Sequence, residues 1–317
     1  MKLKEIYDLA VKAGIEADPR GKEGVGKVLS RVKEKYKKMP DDEKEFFDAE
    51  KLTNPYSDTR ILAGVPSSEI TGILAGIDLE GPEALLADRL NERGKKINLL
   101  LAHHPEGRAL AQLSEVVAMQ ADIWHKQGVP INIGDVLVGK RMKEVFCSFI
   151  PLNHQRAVDT AKALGFAYLS VHTPADNLVT RFVQKELDTK KPETLDDIVK
   201  VLREVPEYHQ AAKEGAGPTI LVGDPEKRAG RVVVDMTGGT EGPEEAIEKL
   251  AQAGVGTLVG MHMGAKLRRK AEESHINVVI AGHATSDGIG LNLFLDKLEA
   301  KGIEIISCSG LKRVKRT

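Results

Sequence analysis

From Ile70 onward, short runs of β-branched residues and leucine alternate with amphipathic helical stretches, and that alternation leaves few architectures open. Brief, uninterrupted apolar runs bounded by turn signals suit strands buried on both faces, as in a parallel sheet. The candidate strands are GILAGID, INLLLA, FAYLSV, TILVG, RVVVDM, GTLVGM, NVVIAG and IEIISC. Between them, PEALLADRLNERG, GRALAQLSEVVAMQADIWHKQG, HQRAVDTAKALG and PEEAIEKLAQAG carry helical spacing, several ending at glycine. The pattern predicts an α/β fold made of two lobes with largely parallel strands.

TLDDIVKVLREVPEYHQAAKEG reads as a helical connector. It sets a first lobe over 61–188, the connector over 189–215 and a second lobe over 216–317. Within the second lobe, TILVGDPEKRAGRVVVDM reads as a hairpin around Asp224 and Gly230. Residues 1–60 are rich in lysine and glutamate, with helical spacing at Ile6, Leu9, Ala10 and Ala13 and again at Val28, Val32 and Tyr36. They predict a helical N-terminal extension of surface helices, acting as a lid or an oligomer contact.

Bulk properties narrow the function. With 317 residues and 41% hydrophobic content the chain builds substantial cores. Lys plus Arg (46) nearly balance Asp plus Glu (47), so no net field favours nucleic acid or an anionic membrane. Aromatic content of 4% leaves few platforms for stacking bases. Cys147 and Cys308 are the only cysteines, which argues against a disulfide framework or a cysteine-based metal site. The sequence shows neither a leader pattern nor a bilayer-length apolar segment, so a cytoplasmic setting is expected.

The histidines carry the chemistry. INLLLA runs into His103 and His104, FAYLSV into His172, GTLVGM into His262 and NVVIAG into His283. The carboxyl ends of parallel strands form the edge where ligands bind. HTPAD then places Asp176 four residues after His172, and HATSD places Asp287 four residues after His283. Imidazole with carboxylate suits zinc, iron, manganese, cobalt or nickel. His103, His104, Asp176, His283 and Asp287 are too many for one catalytic ion with open positions, and they fit a pair of ions sharing a bridging carboxylate or water. Plainer roles exist for each alone: Asp176 and Asp287 both sit where a carboxylate caps a helix start. The repeated spacing at several strand ends favours the metal.

In order along the chain, ILAGIDLE, LLLAHHP, SVHTPAD, MTGGTEG and VVIAGHATSDGIGLNLFLDKL resemble the NIF-three-like family, whose bacterial members often carry the label type 2 GTP cyclohydrolase I. The resemblance runs from about Ile70 to Ser309. It implies two metal ions between two α/β lobes, held here by His103, His104, Asp176, His283 and Asp287, with His172 beside them. It also implies a homo-oligomer, a ring-like hexamer. The chain departs from the family in having Asp287 where glutamate is common and Glu106 where an apolar residue usually follows HHP. Residues 1–60 fit the family poorly.

Weaker signals complete the list. GKEGVGKV lacks the Ser or Thr of a phosphate-binding loop and is preceded by helical text rather than a strand. The turn at Gly238, Gly239 and Thr240, between a strand and a helix, offers backbone amides to a phosphate or carboxylate, or is simply a tight connection. Glu106, His172 and His262 are candidates to move protons, although His262 has no carboxylate near it in the sequence. His125, His154, His209 and His275 fall within or at the ends of helical text. The leading expectation is a dinuclear-metal hydrolase acting on a nucleotide-like or small phosphorylated or heterocyclic substrate. The rival is a non-catalytic metal-binding protein, a metallochaperone, store or interaction hub.

Overall fold

The structure is a computed structural model that describes residues 1–316. It opens with α1 (Leu3–Ala17), α2 (Gly21–Lys38), the single turn α3 (Asp41–Lys44) and a 3-10 turn over Ala49–Leu52. β1 (Arg60–Ala63), β2 (Gly72–Gly76), α4 (Gly81–Glu92) and β3 (Leu99–Ala102) follow. A helical insertion comes next, with α5 (Gly107–Ala111), α6 (Leu113–Val116), α7 (Met119–Lys126), α8 (Ile131–Phe149) and α9 (Arg156–Ala163). It leads into β4 (Ala167–Ser170) and the long α10 (Thr173–Lys190).

α11 (Leu195–Arg203) and α12 (Pro206–Lys213) lead into the second lobe. That lobe holds β5 (Thr219–Val222), β6 (Val232–Asp235), α13 (Glu244–Gln252) and β7 (Thr257–Gly260), followed by α14 (Ala265–Glu273), β8 (Asn277–Ile280) and α15 (His283–Glu299). β9 (Glu304–Ser307) ends the regular structure. Among the described residues no helix is long and apolar enough to cross a membrane.

The expected two-lobe α/β architecture is present. The first sheet has the order β1-β4-β3-β2-β9, and the second has β5-β8-β7-β6. In each, an antiparallel edge strand (β1 or β5) with a register irregularity is followed by three mutually parallel strands, and in the first sheet β9 adds a fourth. The two sheets therefore repeat one topology without repeating one sequence. The central strands are fully buried, which explains their unbroken apolar text.

Four expectations need correction. β5 and β6 do not form a hairpin, because they lie at opposite edges of the second sheet and β5 pairs with β8. The run IEIISC belongs not to the second lobe but to the first sheet, where β9 pairs in parallel with β2. α1 is no surface helix: Leu3, Ile6, Tyr7 and Ala10 are buried in one apolar cluster with strand residues Ile73, Leu99 and Leu169. The long helix read from GRALAQ to HKQG is broken into α5, α6 and α7.

α10 and α15 cross between the lobes. Val179 and Val183 of α10 join the apolar cluster of the second lobe, whereas Leu291, Phe294 and Leu295 of α15 join that of the first. Each lobe thus buries a helix delivered by the other. A Cβ at Gly290 of α15 would overlap the carbonyl oxygen of Ala175 in α10, so only glycine allows this approach.

Candidate metal centre

The sheets aim their carboxyl ends at this crossing. His103 and His104 extend the ladder beyond β3, their amides donating to the carbonyls of Gly76 and Ile77 at 3.0 and 2.9 Å. His172 is the N-cap of α10, and Asp176 lies in that helix's first turn. His283 begins α15, and Asp287 follows one turn later. The expected five residues therefore meet, with His172 beside them.

Two ligand-like groups share Asp287. On one side, His103 Nε2 stands 3.4 Å from Asp176 Oδ1 and 3.4 Å from Asp287 Oδ1. On the other, Asp287 Oδ2 stands 3.5 Å from His104 Nε2 and 3.6 Å from His283 Nε2. A third grouping joins His103, His104 and His172, and His172 Nε2 lies 3.8 Å from Asp176 Oδ2. These gaps are long for hydrogen bonds. They match donor atoms on one ion, because ligand bonds of about 2.0–2.2 Å at tetrahedral angles hold donors roughly 3.3–3.6 Å apart.

Both ring nitrogens of His103, Oδ1 of Asp176 and both carboxylate oxygens of Asp287 are buried without a hydrogen-bond partner. Each such atom costs about 1–3 kcal/mol, more when charged, unless something absent from the chain satisfies it. A divalent cation does so for nitrogen and oxygen donors at once, and these His and Asp groups could hold one.

Three carboxylates outside the expected set orient the imidazoles. Asp78, just past β2, bonds His104 Nδ1 at 2.6 Å. Asp58, just before β1, bonds His172 Nδ1 at 2.8 Å and accepts from Thr173 Oγ1 at 2.6 Å. Because β1 runs antiparallel to β4, its start lies at the same edge as the strand carboxyl ends. Glu241 bonds His262 Nδ1 at 2.8 Å and accepts from the Gly264 amide at 2.7 Å, so His262 does have a carboxylate neighbour after all. At His104 and His172, Nδ1 anchored by a carboxylate leaves Nε2 facing Asp287 and Asp176, the arrangement that fixes tautomer and orientation in metal-ligating histidines.

The charges follow. Burial disfavours an imidazolium at His103, but Asp287 and Asp176 outweigh it and raise its pKa well above the usual value. The same contest, with Asp287 and Asp78 as the acids, lifts His104 to about 9. Burial would raise Asp287, yet His103 and His104 hold it far below the usual carboxylate range. His283 is pushed down, by burial first and by the neighbouring His262 and His104 in addition, which favours its neutral form.

Glu106 does not join the cluster. It stands at the N-cap position of α5 without a side-chain capping bond, and burial together with Glu80 raises it to about 7. Of the turn at Gly238, Gly239 and Thr240, Gly239 and Thr240 line a cavity that His172, Asp176, His283 and Asp287 also line. None of the turn's backbone amides from Thr237 to Gly242 has a partner among the described residues. Gln120 of α7 clamps the turn instead by its carbonyls, donating to Gly238 O at 3.0 Å and Thr240 O at 2.6 Å. His125 and His154 bond nearby carbonyls, of Val129 and Phe149, as ordinary helix-end histidines do.

Comparison with solved structures places the fold. A NIF3 superfamily protein from Sphaerobacter thermophilus superposes with a TM-score of 0.70 at 22% identity, over 80% of this chain and 92% of that one. The chain has the NIF3 fold. Reduced HcgD from Methanocaldococcus jannaschii is a more distant match to the same fold, with a TM-score of 0.50 at 15% identity over 83% of this chain and 93% of that one. Neither the family models nor the curated proteins yield a match by sequence. In this NIF3 fold the strand ends of both lobes contribute to one cluster: His103, His104 and His172 from the first, His283 from the second.

Proposed function

We propose that the chain is a metal-dependent hydrolase using two divalent transition-metal ions, acting on a nucleotide-like or small phosphorylated or heterocyclic substrate. One observation carries this reading: His103, Asp176 and Asp287 converge with buried, unpartnered ligand atoms beside a cavity lined by a second set of polar groups. Divalent ions held there supply Lewis acidity and acidify water near neutral pH.

The chain's own residues would do the rest. Asp287, with one oxygen toward His103 and the other toward His104 and His283, would contribute to both ligand sets. Asp176 would complete the first set, and His104 with His283 the second. The free amides of the glycine turn hold an anionic substrate group across the cavity. His262, with Nδ1 fixed by Glu241, has Nε2 free to give or take a proton at the leaving or attacking atom. Glu106 has a suitable proton affinity but not the placement.

A metal store or chaperone would account for the ligands but not for the walled cavity beside them, and so the enzyme is preferred. The test is elemental mass spectrometry on protein purified without chelator, followed by a hydrolysis screen with nucleotides and phosphoesters. About two metal equivalents per chain, lost in His103→Ala and Asp287→Ala together with turnover, is the expected outcome. No metal uptake would sink the metal reading. Two ions that exchange freely, with no turnover across the screen, would make the chain a metal carrier instead.

A further inference from the structure

The cavity extends away from the His and Asp cluster, beneath the second lobe, where Trp124, Ile247, Leu250, Leu258, Met263 and Leu267 form an apolar wall. Four carboxylates line it: Asp176, Asp235, Glu241 and Asp287. Asp176 and Asp287 belong to the cluster, and Glu241 is engaged by His262 and Gly264. Asp235 alone has no hydrogen bond or ion pair to any other described residue.

Its position is not demanded by the fold. Asp235 ends β6, paired with Gly260, and the matching end of the first sheet pairs Gly76 with Ala102. Side chains alternate along a strand, so Asp235 faces the same way as Val233, which is buried in the apolar cluster with Trp124, Ile247 and Leu258. The carboxylate has no donor from the chain and is exposed, so it is open to a ligand entering the cavity. Asp235 is exposed to the cavity, and loss of solvation from the protein around it, with the nearby Glu241 charge adding to it, lifts its pKa to about 6. At pH 7.5 it is therefore mostly ionised and acts as an acceptor only.

We infer that Asp235 is the specificity-determining residue of this cavity, pairing with two adjacent N–H donors on the substrate, an amidine-type edge, while the apolar wall takes the flat body that carries it. A carboxylate has two oxygens that accept side by side, and an amidine or an aminated heterocycle presents two donors in the same plane. Apolar walls with one placed polar group are the usual make-up of a site for such a ligand. The inference rests on the hydrolase reading only in that the occupant is the substrate; the binding itself needs neither metal nor turnover.

The test is isothermal titration of the full chain at pH 7.5 with two probes of one shape, benzamidine and benzamide. Wild-type protein is expected to bind benzamidine at least about tenfold more tightly, since a charge-assisted pair contributes about 1.5–3 kcal/mol. Asp235→Asn and Asp235→Ser should each remove that preference while metal content stays at the wild-type level. Equal affinity for both probes, no binding of either to wild type, or an unchanged preference in the variants would overturn the assignment. Should the variants fail to fold, equal affinity of wild type for the two probes still overturns the assignment, and Asp235→Glu, expected to keep the preference, serves as the second variant. Preference retained in a protein that takes up no metal sinks the hydrolase reading and leaves the pocket, whereas metal and turnover without preference sink the pocket alone.

Discussion

A Cβ on Gly290 of α15 would collide with the carbonyl oxygen of Ala175 in α10, at the helix crossing beside Asp176 and Asp287. Both acids lie within a few residues of it, one on each helix. Gly290→Ala must push the helices apart, because the obstacle is backbone and cannot rotate away. Overpacking of this kind costs typically about 1–3 kcal/mol. Lower thermal stability together with weaker metal retention is expected. A variant with wild-type melting and wild-type metal affinity would show that the crossing does not govern the site.

Asp78→Asn should leave the fold intact and weaken the metal. The carboxylate bonds His104 Nδ1 at 2.6 Å and is itself held below the usual range by that bond. An amide loses the charge and can present its NH2 to the ring, favouring the wrong tautomer. Loss of such supporting partners typically costs about 10–100-fold in metal affinity. Competition with a chromogenic chelator measures it directly, with circular dichroism as the control for folding.

Much of the centre was legible because it is local. The His-to-Asp spacing within HTPAD and HATSD, and the histidine pair closing an apolar run, are short-range patterns that strand ends turn into geometry. The supporting acids were not. Asp78 and His104 are separated by 26 residues, Asp58 and His172 by 114, and no periodicity links them. Asp58 was hidden further by its place in a segment read as an extension, although the antiparallel β1 returns it to the active edge. The same long-range pairing explains β9: its text reads as a strand anywhere, and only tertiary contact with β2 decides its sheet. α1 was misread because the lysine- and glutamate-rich text of residues 1–60 was read as a whole, whereas Leu3, Ile6, Tyr7, Ala10, Val11, Ala13, Gly14 and Ala17 form a broad buried face of this helix.

Glu241→Gln should lower the pKa of His262. The bond from Glu241 is the main cause of the raised value, with burial opposing it. Removing the charge leaves burial in control and favours neutral imidazole. Proton NMR titration of the His262 ring in both proteins reads the change without any substrate. A titration midpoint that stays put or rises would show that another group sets the protonation of His262.

Removing metal should reverse the pH dependence of stability. In chelator-treated protein, His104 has a folded-state pKa raised to about 9, against about 6.5 when unfolded. A raised pKa contributes stability that is fully present below the unfolded value and is lost as pH rises through the folded one. His103 is raised for the same reason and acts in the same direction. Asp287 is depressed, so its contribution is present above the unfolded carboxylate range and is lost only in acid. Metal-free protein should therefore melt at progressively lower temperature from about pH 6.5 to 9. Metal-loaded protein should behave otherwise, because ligation requires neutral imidazoles, expels their protons and tightens as pH rises. The gap between the two melting temperatures should widen across that interval, since tighter binding to the folded state adds stability. Thermal melts of both forms at fixed ionic strength, paired with proton release measured on metal addition, test this. A gap that narrows with rising pH, or metal uptake without proton release, would mean that the metal does not replace protons on His103 and His104.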